Sequence, residues 1–163
     1  WHIWGDAFSG SGMDMARLRL STVVPAPVEA VYEHVTAFGE NGPPDPQVFR
    51  DRYGEDIHEQ GDLYVFTEDV RLNDDSPADL ATWHCTFDYP RTRFMAAVDS
   101  TWSHRRDIFR PDKSGTRWTV EWTTQEGLLK GLLQLVAFKL ATGRSLRRKV
   151  LEPVRQHFEV ELE

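Results

Sequence analysis

GLLKGLLQLVAFKLATGRSLRRKVLEPVRQHFEVE, residues 127–161, is the stretch on which the fold turns. Leu129, Leu132, Leu133, Val136 and Leu140 recur at three- and four-residue steps, and Leu146, Val150, Leu151, Val154 and Phe158 continue the stripe past Gly143. The opposite face carries Lys130, Gln134, Arg144, Arg147, Arg148, Arg155 and Gln156. Gly127 to Glu161 therefore reads as one long amphipathic helix and not as a membrane span, which needs about 20 nearly uncharged residues. Pro153 has no amide proton for the carbonyl four residues back, so the helix is expected to kink or loosen near Lys149, with Gly143 a second weak point. A bent helix of this kind suits a curved sheet.

Upstream, the periodicity is that of strands. Arg17–Val24 alternates, with Leu18, Leu20, Thr22 and Val24 on one side, and Pro25 and Pro27 end it. Val28, Val31, Tyr32 and Val35 then return to helical spacing, which predicts a first helix over Pro27–Phe38. Gly39–Pro46, with two glycines and three prolines, must be a loop and is a candidate lid; Gln47–Tyr53 holds a further helical turn. Strand-like runs follow at Tyr53–Glu59, Leu63–Leu72, Leu80–Asp88, Arg93–Ser100, Trp102–Arg110 and Thr116–Gln125. Their short turns imply an antiparallel meander.

The 163 residues, 40% hydrophobic and 28% charged, fit one globular domain, expected over residues 13–163. Residues 1–12 read as an appended aromatic peptide with a Ser9-Gly10-Ser11-Gly12 linker. Nineteen basic against 26 acidic residues give a net charge of −7, which argues against nucleic acid as a partner. Cys85 is the only cysteine, so no intramolecular disulfide can form; together with the lack of a hydrophobic signal segment, this points to the cytoplasm. His34, His58, His84 and His157 have no metal-ligand spacing, and His84 points away from Cys85 if both lie in one strand. There is no Gly-x-Ser-x-Gly, no phosphate-binding glycine loop and no dinucleotide fingerprint. No metal and no cofactor are expected.

Three segments carry a family resemblance: LRLSTVVPAPVEAVYEHV at 18–35, FRPDKSGTRW at 109–118 and GRSLRRKVL at 143–151. With the element order, they make Ala16–Glu161 resemble the START / polyketide cyclase-dehydrase (SRPBCC, helix-grip) superfamily. The resemblance implies an α+β helix-grip fold: a curved antiparallel sheet of about six or seven strands wrapped around a long C-terminal helix, with two short helices after the first strand. It also implies a cavity between sheet and helix. Members bind lipids, sterols, polyketides, hormones or quinones there, in roles that include lipid transport, and some catalyse cyclisation or dehydration. The three segments are structural signatures, none of them catalytic.

Taking the more apolar parity of each strand as inward gives the expected wall. Tyr64, Phe66, Val70 and Leu72 share a face with Glu68; Ala81, Trp83, Cys85, Phe87 and Tyr89 form the next row; Phe94, Ala96 and Val98 follow; Trp118, Val120 and Trp122 close the set. Leu132 and Val136 of the helix complete the candidate ligand contacts. For Trp102–Arg110 either Trp102, His104, Arg106 and Ile108 or Ser103, Arg105, Asp107 and Phe109 face inward, and each choice brings in an arginine that needs a carboxylate, an anion or a carbonyl. Glu68 is a carboxylate on an apolar face, and a pairing with Arg106 is the expectation.

The leading functional expectation is binding of one hydrophobic, aromatic or polycyclic, small molecule. An alternative is a polyketide cyclase, aromatase or dehydratase in which Glu68, His104 and Arg106 are catalytic. A further alternative is a quinone- or membrane-associated adaptor using the helix and the Arg147, Arg148, Lys149 cluster.

Overall fold

The computed structural model describes residues 17–69, 77–78, 80–98, 102–124 and 140–160. The expectations for residues 1–12, Val70, Leu72, Leu132, Val136 and helix positions 127–139 lie outside the described residues.

Seven antiparallel strands form one sheet in the order β1-β7-β6-β5-β4-β3-β2. They are β1 (Arg17–Val24), β2 (His58–Gln60), β3 (Leu63–Asp69), β4 (Leu80–Asp88), β5 (Thr92–Ala97), β6 (Trp102–Asp112) and β7 (Gly115–Thr124). Between β1 and β2 lie α1 (Val28–Thr36) and α2 (Pro46–Tyr53), and the described part of the C-terminal helix, α3, covers 140–160. This is the expected α+β helix-grip arrangement. No helix among the described residues is long and apolar enough to cross a membrane.

Two of the sequence signatures meet in space. Gly115 opens β7 at φ +132°, where an added Cβ would strike the Val24 carbonyl oxygen and sit 2.9 Å from both the Ala26 nitrogen and the Pro25 Cα. Only glycine lets the β6–β7 turn come that close to the Pro-Ala-Pro corner. Thr116 Oγ1 then donates to the Ala26 carbonyl at 2.7 Å, which ties the hairpin to the entry of α1.

The run Tyr53–Glu59 is not a strand. Asp45 caps α2, its side chain accepting from the Gln47 and Val48 amides at 2.9 and 3.2 Å, and Pro46 opens the first turn. The helix consequently extends through Tyr53 and stops at Gly54, φ +97°, leaving only His58–Gln60 for β2.

Pro153 loosens α3 where expected. Arg147–Leu151 forms a π-turn, and the Glu152 amide donates to the Arg147 carbonyl five residues back. Gly143, by contrast, sits in unbroken helix, where a Cβ would make an ordinary 3.6 Å contact with Leu18. The apolar face buries Leu151 and Phe158, while α1 buries Val31, Tyr32 and Val35. These join Phe66, Trp83, Cys85, Met95, Phe109, Trp118 and Val120 from the inner face of the sheet in one core. At about 1.5–3 kcal/mol for each fully buried large apolar side chain, this layer is the main force holding helix to sheet.

Candidate functional site

Between α3, the two short helices and the concave face of the sheet lies a cavity of about 530 Å³. Phe66 of β3, Arg93 and Met95 of β5, Arg105 of β6 and Trp118 of β7 form its floor. Val35 and His34 of α1, with Arg52 and Tyr53 of α2, form one side, and Lys149, Val150, Pro153, Val154 and His157 of α3 form the cover. Glu68 stands exposed at the edge. The Gly39–Pro46 loop, the expected lid, does not border this space.

One buried carboxylate organises the floor. Asp107, 0% exposed, accepts at Oδ2 from Arg93 Nε and Nη2 (3.0 and 2.7 Å) and from Arg105 Nε (3.2 Å). At Oδ1 it accepts from Arg105 Nη2 (3.2 Å) and Trp118 Nε1 (3.1 Å). Arg93 also donates from Nη1 to the Tyr53 hydroxyl at 2.8 Å, and that hydroxyl donates to the Thr36 carbonyl at 2.7 Å. Burial alone would raise the Asp107 pKa, but the Arg105 and Arg93 guanidinium groups hold it below the ordinary carboxylate value. Burial likewise opposes the charge of Arg93; Asp107 outweighs it and keeps that guanidinium firmly protonated. Burial pushes the Tyr53 hydroxyl up to about 12, so it stays neutral.

Two cations on this floor thus share one anion. Arg105 also stacks over Trp122, 5.2 Å from the ring centre. Arg52 lies further out: its Nη1 donates to the Val35 carbonyl at 2.9 Å, and it has no carboxylate partner among the described residues. Desolvation by the cavity wall lowers its pKa, and Arg93 and Arg105 nearby push the same way. Across the cover, His34 and His157 stack with ring centres 4.1 Å apart.

Of the residues expected from sequence, Phe66, Trp118 and Glu68 border the cavity. Trp83, Cys85 and Trp122 face inward but lie in the packed core beside it. The Cys85 thiol is pushed up to about 12 by burial. Tyr64 and Phe87 pack into an aromatic cluster with Phe38, Phe49 and Tyr53, Phe38 and Phe87 stacking at 4.1 Å. Leu132 and Val136 lie outside the described residues.

The placement of Phe94, His104 and Arg106 needs correction. All three lie on the convex face, where Phe94 is 40% exposed and pairs in register with Arg106. They line a separate groove with Arg17, Thr86, Thr92, Glu121 and Thr123. Inward on β5 are Arg93 and Met95, not the more apolar parity of Phe94, Ala96 and exposed Val98. The reason is the Arg93–Asp107 pair, directly opposite across β5 and β6, which lets a charged side chain occupy the interior. On β6 the Arg105, Asp107 and Phe109 parity faces in, so Glu68 and Arg106 are on opposite faces and do not pair. Sequence reasoning missed Arg52, Arg93, Met95 and the His34–His157 stack as cavity groups. The one available signal was the opposite charges at Arg93 and Asp107, cross-strand partners in a β5–β6 hairpin.

No family model and no curated protein matches the chain. Solved structures do. The di-domain ARO/CYC protein StfQ from the steffimycin biosynthetic pathway superposes with a TM-score of 0.65 at 10% identity, over 91% of this chain and 52% of that one. For the di-domain ARO/CYC protein BexL the TM-score is 0.61 at 17% identity, over 89% of this chain and 50% of that one. A START superfamily protein from Mycobacterium smegmatis gives 0.56 at 11% identity, over 86% of this chain and 97% of that one. The chain has the helix-grip fold. It spans about half the length of the two di-domain proteins, and at these identities the likeness is one of fold. In helix-grip terms the cavity described above is the space between sheet and gripped helix. The Asp107 cluster forms its floor.

Proposed function

We propose that this chain binds one hydrophobic, aromatic or polycyclic, small molecule in the cavity between the sheet and α3. The observation that carries the reading is the cavity itself. Its volume of about 530 Å³ falls in the range of small-molecule sites, and Phe66, Met95, Trp118, Val150 and Val154 give it apolar walls. Val150, Pro153 and Val154 offer the ligand an apolar surface, while Trp118 and Phe66, 1% and 2% exposed, lie beneath the floor. The test is native mass spectrometry on protein lacking residues 1–12, followed by denaturation and extraction of what was bound. A stoichiometric apolar adduct is expected, and Val154→Trp, which fills the space from the helix side, should abolish it. An adduct retained undiminished by that variant puts the ligand elsewhere. Protein that carries no adduct and binds no member of a panel of aromatic compounds removes the reading.

A cyclase or dehydratase reading is favoured by one further observation: Glu68 at the edge and Arg105 on the floor border the same cavity. Glu68 would move the proton, and Arg105 would steady an enolate oxygen. His104 and Arg106, on the convex face, take no part in this version. Turnover of an accepted substrate that is unchanged in Glu68→Gln would refute the acid/base role.

A further inference from the structure

Among the described residues the charges around the cavity do not balance. Arg52, Arg93, Arg105 and Lys149 border it, against Glu68 at the edge and Asp107 behind the floor. Among the described residues, four cations against two anions leave an excess of two positive charges, histidines not counted. The distribution sharpens the imbalance. Asp107 is fully engaged by Arg93, Arg105 and Trp118, with every one of its contacts a donor pointing at it. Arg105 spends Nε and Nη2 on that carboxylate, and its Nη1 has no partner among the described residues. Arg52 gives one N–H to a neutral carbonyl and lies where desolvation and the neighbouring guanidinium groups all disfavour its charge. Guanidinium groups gathered in this way bind an oxyanion well, because the anion relieves their repulsion and accepts charge-assisted hydrogen bonds from both. Glu68 does not supply that anion, since it is exposed and makes no ion pair with Arg52 or Arg105 among the described residues.

We infer that the ligand is an aromatic acid, its carboxylate or equally acidic oxygen held by Arg52 and Arg105 and its ring system lying against Val150, Pro153 and Val154 of α3. The inference rests on the small-molecule reading above and names the chemistry of what that site selects. Arg105 is fixed by Asp107 and Trp122, so it offers a preset donor. Arg52, exposed on the last turn of α2, borders the same space and supplies the second donor.

A matched pair of probes tests this: 2-anthracenecarboxylate and 2-anthracenecarboxamide, nearly equal in shape and differing in charge, titrated into the full chain by calorimetry near neutral pH. The carboxylate is expected to bind about tenfold or more tighter, the scale of one to two charge-assisted hydrogen bonds. Its preference should shrink several-fold in Arg52→Gln and largely survive in Arg52→Lys, and added KCl should weaken the acid more than the amide. Arg52→Gln and Arg52→Lys give up no more than the single hydrogen bond to the Val35 carbonyl, so these variants should fold; thermal melts check that. A carboxamide that binds as tightly as the acid, or a preference untouched by Arg52→Gln, overturns the inference and leaves the cavity reading standing. If neither probe binds and native mass spectrometry finds no adduct, both readings fall together.

Discussion

Replacing Asp107 with asparagine changes one atom and removes the charge on which two arginines depend. Three N–H groups converge on Oδ2 and two on Oδ1, at 2.7–3.2 Å, and neither the Asp107 nor the Arg93 side chain is more than 4% exposed. Asparagine keeps one acceptor and turns its amide donors toward groups that are themselves donors. It leaves the Arg93 guanidinium buried with a phenol for company. Breaking a buried pair by neutralising one partner costs about 3–5 kcal/mol, chiefly from the stranded charge. For a chain of this size that lowers the melting temperature by about 6–20 °C. The pH dependence gives a second measure. The Asp107 pKa is depressed in the folded state, so its contribution is fully present above the unfolded carboxylate value near pH 4 and is lost as pH falls below it. Urea melts of both proteins across that window should show the wild type losing stability on acidification more steeply than Asp107→Asn. A loss below about 1 kcal/mol at neutral pH, or identical acid limbs, would refute the claim that this carboxylate anchors the floor.

Two other outcomes follow from positions already described. Gly115→Ala puts a methyl group into the Pro-Ala-Pro corner at a backbone angle unsuited to alanine and should cost more than about 2 kcal/mol in denaturant melts; a change within about 0.5 kcal/mol would mean the hairpin does not seat there. Cys85, fully buried with its thiol pushed up to about 12, should resist a disulfide reagent in the native state at about pH 8 and react once the protein is unfolded. Stoichiometric labelling of folded protein within minutes would contradict that burial.

The architecture was legible because its determinants are local. Val28, Val31, Tyr32 and Val35 behind Pro27 specify a helix whatever surrounds them, and the Pro153 defect follows from a missing N–H group. The inner rows of β3, β4 and β7 were legible for a similar reason, since Phe66, Trp83, Cys85 and Trp118 belong to strands whose inward parity is also the apolar one. The site was harder to read because its chemistry is non-local. Arg93 looks like a surface residue until Asp107 is set opposite it, and a parity rule based on hydrophobicity counts a buried ion pair twice on the wrong side. Arg52 is still less visible: an ordinary charged residue on α2 acquires meaning only where the helix end meets the cavity. Tyr53, read from sequence as the junction of a helical turn and a strand, reaches Arg93 because the capped helix carries it there.

The π-turn at Arg147–Leu151 acts on direction as well as on shape. A regular helix turns about 100° per residue, so one residue taken up by a widened turn rotates everything beyond it by roughly that angle relative to an unbroken helix. The segments on either side of the turn are therefore out of phase, like two gears meshed one tooth apart. Pro153, Val154 and His157 meet the cavity in that offset phase, while Lys149 and Val150 reach it from the widened turn itself. Which side chains of this helix border the cavity is thus set by a residue count across five positions. A single insertion or deletion there would exchange the lining while leaving the composition of the helix almost untouched.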